Sequence, residues 1–500
     1  MQHNTTHMIR REVFELSTSH SKDGLECQQR ASGMVHNIIH PILESCFDRL
    51  ELGSRRLVID RLEIDLGIFD AKNLERELMK RLNEMLEKEL SACLQKAKSG
   101  SAKLSNTNRA ELITTEELST LPSTTVPGVQ LLDAEETFYT LLYWFLQHGR
   151  LPWWLEPSKQ QQPITELFDT PFITTLREED KRSFRELLRH SQPARIRLVN
   201  HFTTEWIVNF LQHIDIPVSK PAVQWQVLLP AIETFSTLQT IFHQHFWTVA
   251  ITGHINITLV IEKTARGYNP TAIALSKAIL AICQTFHTQD TAWAAWAEQI
   301  EKYLSHKMPY DDFRKQPTNE QPQQTTISQP KNEIEEEGLF VSAAGLVILH
   351  PFLTELFTGL WQDNQWKDEY SVYRAVQLLS QLAYGETNLP EYQLSFIKIL
   401  LGIDIETPLP AQEPLTESEI TTCTELLQAV ITHWTALRNT GPATVQEGFL
   451  QRHGKLIHHK KGYHVTVERL AQDVLLSRLP WGIGMIKLPW MQDMLHVTWL

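Results

Sequence analysis

Two different spacings of apolar residues divide this chain into helical and strand-forming parts. Through most of the chain apolar side chains recur every three or four residues, which places them along one face of a helix. Near the two ends they recur at every second position, which is the spacing of a strand with one buried and one exposed face. We therefore predict an α+β protein that is predominantly helical, with a small sheet near each end.

Residues 1–98 carry the pattern of a small domain made of strand, helix, strand and helix. Residues 7–16 are the first predicted strand, and residues 25–50 are the first predicted helix. The second helix is predicted over residues 71–98, where leucines at four-residue intervals mark a stripe that winds slowly across one side of the helix. These leucines are Leu74, Leu78, Leu82, Leu86, Leu90 and Leu94.

The second predicted strand of this domain has an apolar face and a charged face. Leu62, Ile64 and Leu66 alternate with charged residues until Gly67 ends the segment. The acids of the segment are Asp60, Glu63 and Asp65. Paired carboxylates can act as general acid and base, but interleaved arginines and the lack of a nearby nucleophile or histidine favour a solvated sheet face.

Composition marks two linkers and therefore three domains. Residues 99–133 are rich in Ser, Thr and Asn without a sustained period, and residues 314–337 are rich in Gln, Pro and Thr and end in a run of acids. Such segments are typical of flexible linkers. Between them, residues 134–313 show several amphipathic helical segments and predict an all-α middle domain.

The C-terminal domain, residues 338–500, is predicted to be helical and to end in a small antiparallel sheet. Thr416 and Glu419 have the spacing of a capping box at a helix start. After Gly454 the period changes to two, with a turn at residues 460–462. The pattern predicts a β-hairpin, with a further strand through Leu495, Val497 and Trp499.

Residues 479–500 are dominated by tryptophan and proline rather than by acids, bases or nucleophiles. Proline restricts the backbone and tryptophan offers a large rigid surface, so the segment suits packing in a core or contact with a partner. Burial is the commoner role of tryptophan, and we favour it. Contact with a partner protein stays open for three tryptophans, which are Trp481, Trp490 and Trp499.

Sequence motifs of catalysis and cofactor binding are not found. The chain has no phosphate-binding loop, no HExxH zinc motif and no GxSxG nucleophile elbow. Residues 482–487 begin like a dinucleotide fingerprint, but Lys487 stands where that fingerprint requires glycine. We predict no catalytic residue and no cofactor, and we do not expect an enzyme. An enzyme assembled from distant residues would need a deep polar pocket with perturbed carboxylates.

Histidines and cysteines do not suggest a metal site. His458 and His459 are neighbours on a predicted strand and would point to opposite faces. At most two or three of the C-terminal histidines could therefore converge, and we interpret them as surface residues; they are His453, His458, His459 and His464. The five cysteines are odd in number and far apart, which fits neither a disulfide framework nor a zinc knuckle.

The formal net charge of −13 at pH 7 argues against nucleic-acid binding through phosphate neutralisation, because that mode needs a dense basic surface. Residues 1–7 lack the features of a signal peptide, and no run approaches the ~18 apolar residues of a membrane span. We expect no nucleic-acid partner and no membrane insertion.

Short segments near both ends match the pattern of one protein family. In the C-terminal part they are residues 391–402, 429–437, 449–455, 467–468 and 479–500, and in the N-terminal part residues 7–10 and 57–67. On these segments, which fall within residues 7–95 and 337–500, the chain resembles the contractile injection system tape measure protein family.

The resemblance implies a non-catalytic component of a phage-tail-like contractile particle. Such a protein would set the length of the inner tube and help to start tube assembly on the baseplate. Its implied partners are tube and baseplate or spike proteins, with possible self-association. It would be made in the bacterial cytoplasm and released with the particle on lysis. The alternative is an assembly chaperone or a cargo or baseplate interaction protein that does not act as a ruler; a chaperone would be missing from purified particles.

Overall fold

The computed structural model describes most of the chain, in separate stretches. They are residues 7–9, 12–15, 33–50, 52–53, 55–69, 73–104, 129–152, 154–155, 164–168, 176–218, 228, 238–253, 255–266, 268–286, 290–307, 338–368, 370–387, 389–459 and 462–499. The predicted linker at 314–337, the predicted turn residues Lys460 and Lys461 and most of the predicted linker at 99–133 lie outside the described residues.

Helices account for most of the described elements, so the prediction of a predominantly helical α+β protein is confirmed. The backbone falls into two compact units. The first comprises Met1–Thr140 with Trp153–Glu156, and the second comprises Leu141–Pro152 with Pro157–Leu500. Most of the predicted middle segment and the whole predicted C-terminal segment therefore belong to one unit. The prediction of three separate domains stays a prediction.

The described part of the first unit contains two complete helices and a two-stranded sheet. Its elements are a π-helical turn at Val35–Ile39, helix α1 at His40–Asp48, strand β1 at Arg56–Ile59, helix α2 at Leu74–Leu104 and strand β2 at Val129–Leu132. The two strands pair antiparallel, with Arg56 opposite Leu132.

Leucines at four-residue intervals on α2 form the core of this unit. Leu86 is completely buried, and the neighbouring leucines of the stripe pack with residues from the segment that contains α1. The buried members of the core are Met34, Ile39, Cys46, Leu78, Leu82, Leu86 and Leu90. The stripe predicted from the sequence is thus the one that α2 buries.

The second predicted strand is wrong in position. Residues 61–69 are irregular, and β1 precedes them. Leu62, Ile64 and Leu66 nevertheless pack against the core while the residues between them are exposed. Alternation therefore marks an extended segment with one buried side, but a strand also requires a hydrogen-bonded neighbour, and β2 pairs with β1. The described residues of the first predicted strand, 7–9 and 12–15, are irregular as well.

The middle segment consists of short helices, as predicted. They are α3 Ala134–His148, α4 Ile164–Leu167, α5 Glu178–His190, α6 Gln192–His201, α7 Thr204–His213, α8 Gln239–Ala250, α9 Ile257–Thr264, α10 Asn269–Phe286 and α11 Thr291–Lys307. Side-chain caps begin several of them: Ser191 accepts a hydrogen bond from the Ala194 amide, and Asn256 accepts one from the Leu259 amide. Such caps satisfy amides that the first helical turn leaves without partners.

The C-terminal segment contains the remaining helices. They are a 3₁₀-helix at Ala344–Leu349, α12 His350–Leu356, α13 Ser371–Tyr384, a 3₁₀-helix at Glu391–Leu394, α14 Ser395–Leu400, α15 Glu417–His433, a 3₁₀-helix at Thr435–Leu437, α16 Pro442–Val445, a π-helical turn at Gln446–Leu450 and a 3₁₀-helix at Ala471–Arg478. The capping box is confirmed, because the Thr416 hydroxyl accepts a hydrogen bond from the Glu419 amide and Glu419 accepts one from the Thr416 amide.

The predicted hairpin and the additional strand are confirmed within a larger sheet. The strands of this segment are β3 Leu339–Val341, β4 Trp361–Gln362, β5 Gln365–Trp366, β6 Gly454–His459, β7 Gly462–Val467, β8 Met485–Ile486 and β9 Met494–Trp499. Five of them form one sheet in the order β3-β6-β7-β9-β8, whereas β4 and β5 form a separate hairpin.

The prediction that this sheet is antiparallel is wrong for one pair of strands. β7 and β9 run parallel, with His464 opposite His496, so the sheet is mixed. Parallel neighbours require a long crossover connection. The chain between β7 and β9 supplies it through a 3₁₀-helix and β8. Alternation in the sequence marks extended segments but contains no information about their relative direction.

Candidate functional site

The tryptophans of residues 479–500 lie in the second unit, and each donates its indole hydrogen to an internal acceptor. Trp481 donates to the Ile348 carbonyl at 2.9 Å, and Trp490 donates to the Leu400 carbonyl at 2.8 Å. Both rings therefore have packing partners within their own chain. Trp490 is only 7% exposed, whereas Trp481 is half-buried.

Trp490 belongs to an aromatic cluster that includes the β4–β5 hairpin. Its ring lies 5.6 Å from that of Trp361, 5.4 Å from that of Trp366 and 5.3 Å from that of Phe357. Tilted and edge-to-face contacts at these separations stabilise aromatic clusters. The cluster attaches the hairpin to the C-terminal core.

The third tryptophan, Trp499, forms part of a buried ion pair. Its indole donates to Asp473 Oδ2 at 2.9 Å, and its ring lies beside the Arg452 guanidinium. Arg452 donates to both carboxylate oxygens of Asp473, at 2.6 and 2.9 Å. Leu470 donates its amide to the same carboxylate. Burial alone would raise the pKa of Asp473, but these hydrogen bonds outweigh it and hold the pKa below its usual value.

Replacing Asp473 by asparagine is expected to lower the free energy of unfolding by about 2–3 kcal/mol at neutral pH, because Arg452 then lies buried without a counter-charge. A lowered folded-state pKa means that the unfolded chain binds more protons. The Asp473 contribution is therefore present above about pH 4 and disappears as the pH falls through the lowered value. Thermal unfolding at several pH values should show the gap between wild type and Asp473→Asn closing on acidification. A gap that stays constant would contradict this assignment.

A second and larger group of buried charges joins the middle helices to the C-terminal segment. We call Arg197, Glu391 and Lys398 the ion network; each is at most 2% exposed. Arg197 Nε donates to the Glu391 carboxylate at 3.2 Å, and Lys398 Nζ donates to it at 2.6 Å. Buried charges are costly unless they are paired and hydrogen-bonded, and here one carboxylate neutralises two cations only in part.

Backbone carbonyls complete the coordination of the two cations. Arg197 Nη1 donates to the carbonyls of Leu146 and Gln147, and Arg197 Nη2 donates to that of Glu406. Lys398 donates to the carbonyls of Ile405 and Thr407, each at 2.8 Å. Burial lowers the pKa of Lys398 against the opposing attraction of Glu391. The ion network thus connects the end of α3, helix α6, the start of α14 and the loop after α14.

The residue after α3, Gly149, must be a glycine because the charged side chains of the ion network lie against its backbone. Its φ is +71°, and a Cβ atom there would lie 2.7 Å from Arg197 Nε. Beside it, His148 lies 2.8 Å from Glu406 and Arg150 lies 3.4 Å from the same carboxylate oxygen. Burial raises the pKa of Glu406, but the hydrogen bond and charges of these neighbours outweigh it and lower the pKa overall.

Further contacts between the middle helices and the chain after α14 lie along residues 406–413. Asn200 donates to the Leu409 carbonyl at 2.7 Å, and the Ala411 amide donates to the Gln244 side chain at 2.7 Å. Arg266 lies 3.8 Å from Glu413. The second unit is therefore held together by directional polar contacts as well as by apolar packing.

Residues considered as catalytic or metal-binding candidates are not brought together in this way. Glu63 pairs with Arg61 and Asp65 accepts the Gly67 amide, both at the surface of the first unit. His459 and His464 lie on one face of the large sheet with ring centroids 6.4 Å apart, and the His458 ring contacts that of Tyr463 in a tilted arrangement. Across the described stretches of the chain, no three His, Cys, Asp or Glu side chains are grouped as a metal ion would require.

Buried thiols offer no activated nucleophile in the second unit. Burial raises the pKa of Cys283 and that of Cys423 to about 12. Nucleophilic cysteines are instead thiolates near neutral pH. Both side chains act as small apolar residues in the core.

The ion network is not predicted by the sequence patterns. Lys398 stands within the apolar run of residues 396–401, and a lysine in such a run is a usable signal of a buried cation with a partner. No local signal connects it to Arg197, because the two residues are far apart in sequence. His496 was also missed, although it lies beside His464 on the adjacent strand.

Comparison with known proteins gives one match. A family model described as contractile injection system tape measure protein matches residues 6–499. No curated protein and no solved structure matches the chain. Within the described residues, the helices include none that is both long and apolar enough to traverse a lipid bilayer.

Proposed function

Since this chain belongs to the contractile injection system tape measure protein family, we propose that it sets the length of the inner tube and helps to start tube assembly on the baseplate. The observation that carries the proposal is the extent of the family match, which covers residues 6–499. Family membership makes the protein a structural assembly component of a contractile injection system. The role of ruler and the contact with the baseplate are our inference.

A ruler acts through the length of its extended chain. A helix gains ~1.5 Å per residue, so the span of an extended segment grows in proportion to its residue number. The middle segment would have to unfold or extend before it could span a long tube. That step would have to break the ion network, because Arg197 of the middle segment is paired with Glu391 of the C-terminal segment.

We propose tube proteins and baseplate or spike proteins as partners. Trp481, Trp490 and Trp499 stay proposed contact residues. Their indole hydrogens are bound internally, so any contact with a partner would use the ring surfaces that remain accessible. Trp481 and Trp499 are half-buried and suit this role better than Trp490.

We also infer that the protein is not an enzyme and that it is assembled into the particle in the bacterial cytoplasm. Support for a non-catalytic role comes from the buried charges. The side chains of the ion network are bound to one another and to backbone carbonyls, and Arg452 and Asp473 form a separate buried pair. Catalytic groups instead face a cleft that admits substrate.

Insertion of a helical segment after Lys307 is expected to lengthen the tube if the middle segment is the ruler. The site follows α11, where Ser305 and His306 are exposed, so no buried side chain is lost. Tube length in negative-stain micrographs should grow by ~1.5 Å for each inserted residue. A deletion within residues 220–300 would be less informative, because it would remove the buried Trp247.

The matched control places the same insertion between Asp363 and Asn364, at the exposed tip of the β4–β5 hairpin. This insertion adds the same number of residues outside the middle segment and is expected to leave tube length unchanged. Unchanged length for the Lys307 insertion, with normal particle yield, would exclude the ruler and leave the role in assembly. Particles that lack the protein altogether would favour the chaperone alternative.

A further inference from the structure

The five-stranded sheet of the second unit packs one face on the core and leaves the other accessible. Leu456, Val465 and Leu495 point into the core and are completely buried. Residues at the alternate positions therefore point outward. We call these residues the outer face: Phe340, Lys455, Ile457, His459, His464, Thr466, Met485, Met494, His496 and Thr498.

The outer face has an unusual composition for this chain. None of these ten described residues is acidic, although the whole chain has a net charge of −13. Three are histidines and one is a lysine. The strand register places His464 directly opposite His496, and the His464 imidazole lies 2.8 Å from the Thr498 hydroxyl. Imidazole donors are thus concentrated among ten described side chains, none of which is a carboxylate.

Exposed apolar side chains flank these polar groups. Phe340, on the edge strand β3, is 55% exposed, and Met485, on the opposite edge strand β8, is 66% exposed. A surface groove of about 540 Å³ lies between β7, β9 and the chain before β8, with His459, His464 and His496 among its lining residues. An accessible sheet face with apolar edges and a groove is suited to an extended peptide.

We propose that the outer face is a docking surface for an acidic, partly apolar segment of a partner protein. Carboxylates of the segment would accept hydrogen bonds from the histidines, and its apolar side chains would pack on Phe340 and Met485. A nucleic acid fits less well, because the outer face has one lysine and no arginine. The inference is independent of the ruler role.

Binding should strengthen as the histidines gain protons. The titratable side chains nearest His464 are His496, which lies opposite it on β9, and His459, which lies diagonally across on β6; Lys455 lies farther along β6. Burial, followed by the charges of His459 and His496, lowers the pKa of His464, so its protonation alone requires mildly acidic solution. A carboxylate placed in the groove would oppose this effect. The nearby carboxylates of Asp404 and Asp493 lie towards Tyr463, which packs against the core. Burial, followed by the charges of these carboxylates, raises the pKa of Tyr463.

The test uses the full chain and a fluorescein-labelled peptide of glutamate–leucine repeats, followed by fluorescence anisotropy at low salt. We expect saturable binding that is about tenfold tighter near pH 5.5 than near pH 8. A peptide of lysine–leucine repeats should not bind. Absence of binding by the glutamate peptide, or equal binding of single-stranded DNA, would overturn the proposal.

Two variants test whether the binding site lies on the outer face. Replacement of His459, His464 and His496 by glutamine should remove the pH dependence and weaken binding about tenfold near pH 5.5. His433→Gln, at an exposed position on α15, is the matched control and should bind as wild type does. Met485→Glu adds a repelling charge at an exposed edge without altering the histidines. If Met485→Glu binds the peptide as tightly as wild type, the segment does not dock here.

Discussion

Replacing Glu391 by alanine is expected to lower the free energy of unfolding of the second unit by about 3–5 kcal/mol, because the change leaves two buried cations without a counter-charge. Arg197 and Lys398 are 0% and 1% exposed, so neither can reach water without local opening. Their hydrogen bonds to backbone carbonyls would remain, but these dipoles do not neutralise a net charge. Urea unfolding followed by tryptophan fluorescence measures the loss.

The double variant Glu391→Ala with Lys398→Met separates charge from packing. If unpaired charge causes the loss, removal of one stranded cation should make the double variant more stable than Glu391→Ala alone. Glu178→Ala is the surface control: Glu178 pairs with Lys181 on an exposed helix face, and no measurable change is expected. Equal losses in Glu391→Ala and Glu178→Ala would contradict a stabilising ion network.

Replacing Gly345 by alanine is expected to destabilise the C-terminal core by about 3 kcal/mol or more, which exceeds the usual cost of one added methyl group. Gly345 lies in the 3₁₀-helix at Ala344–Leu349, and its added Cβ would lie 2.7 Å from the Phe449 carbonyl carbon and 2.9 Å from the Leu450 Cα. Both atoms belong to the backbone, so no side-chain rotation can relieve the overlap. Thermal unfolding and soluble yield would report the effect.

Gly448→Ala is a matched control from the same region. Gly448 lies in the π-helical turn at Gln446–Leu450, and a Cβ built there would meet no atom within 4 Å apart from its chain neighbours and the backbone of its own turn. The unfolded chain has less conformational entropy with alanine than with glycine at this position, so folding loses less entropy. This variant should therefore be neutral or slightly more stable. A Gly345→Ala protein that unfolds with the wild-type midpoint would show that the two segments can separate without cost.

Local sequence patterns predicted the helices and strands of this fold better than they predicted which elements lie next to each other. The leucine stripe of α2, the capping box at Thr416 and the strand pattern of β9 depend on residues close in sequence, and all were confirmed. The strand prediction at Leu62 was wrong because a strand is defined by its hydrogen-bonded partner, which lies far away in the chain. The prediction that β9 runs antiparallel to its neighbour was wrong for the same reason.

The buried charges show a similar division between local and distant information. Arg197 and Glu391 appear in the sequence as ordinary charged residues, and Lys398 alone stands in an apolar run that indicates burial. Their role depends on the folded arrangement, which brings α6 to the start of α14 and excludes water from all three side chains. The tryptophans were predicted either to pack or to bind, and the structure shows their internal partners without testing their contact with other proteins.

The order of strands in the large sheet also determines when it can form during translation. β9 lies between β7 and β8, yet the ribosome makes it after both of them. Until residue 499 has emerged, β7 has a free edge and β8 has no partner, so the nascent segment exposes strands that invite wrong pairing. A chain that stops before β9 cannot close the sheet. The five-stranded sheet therefore forms only after β9 has been made, and a chain without β9 would keep an exposed strand edge that promotes aggregation.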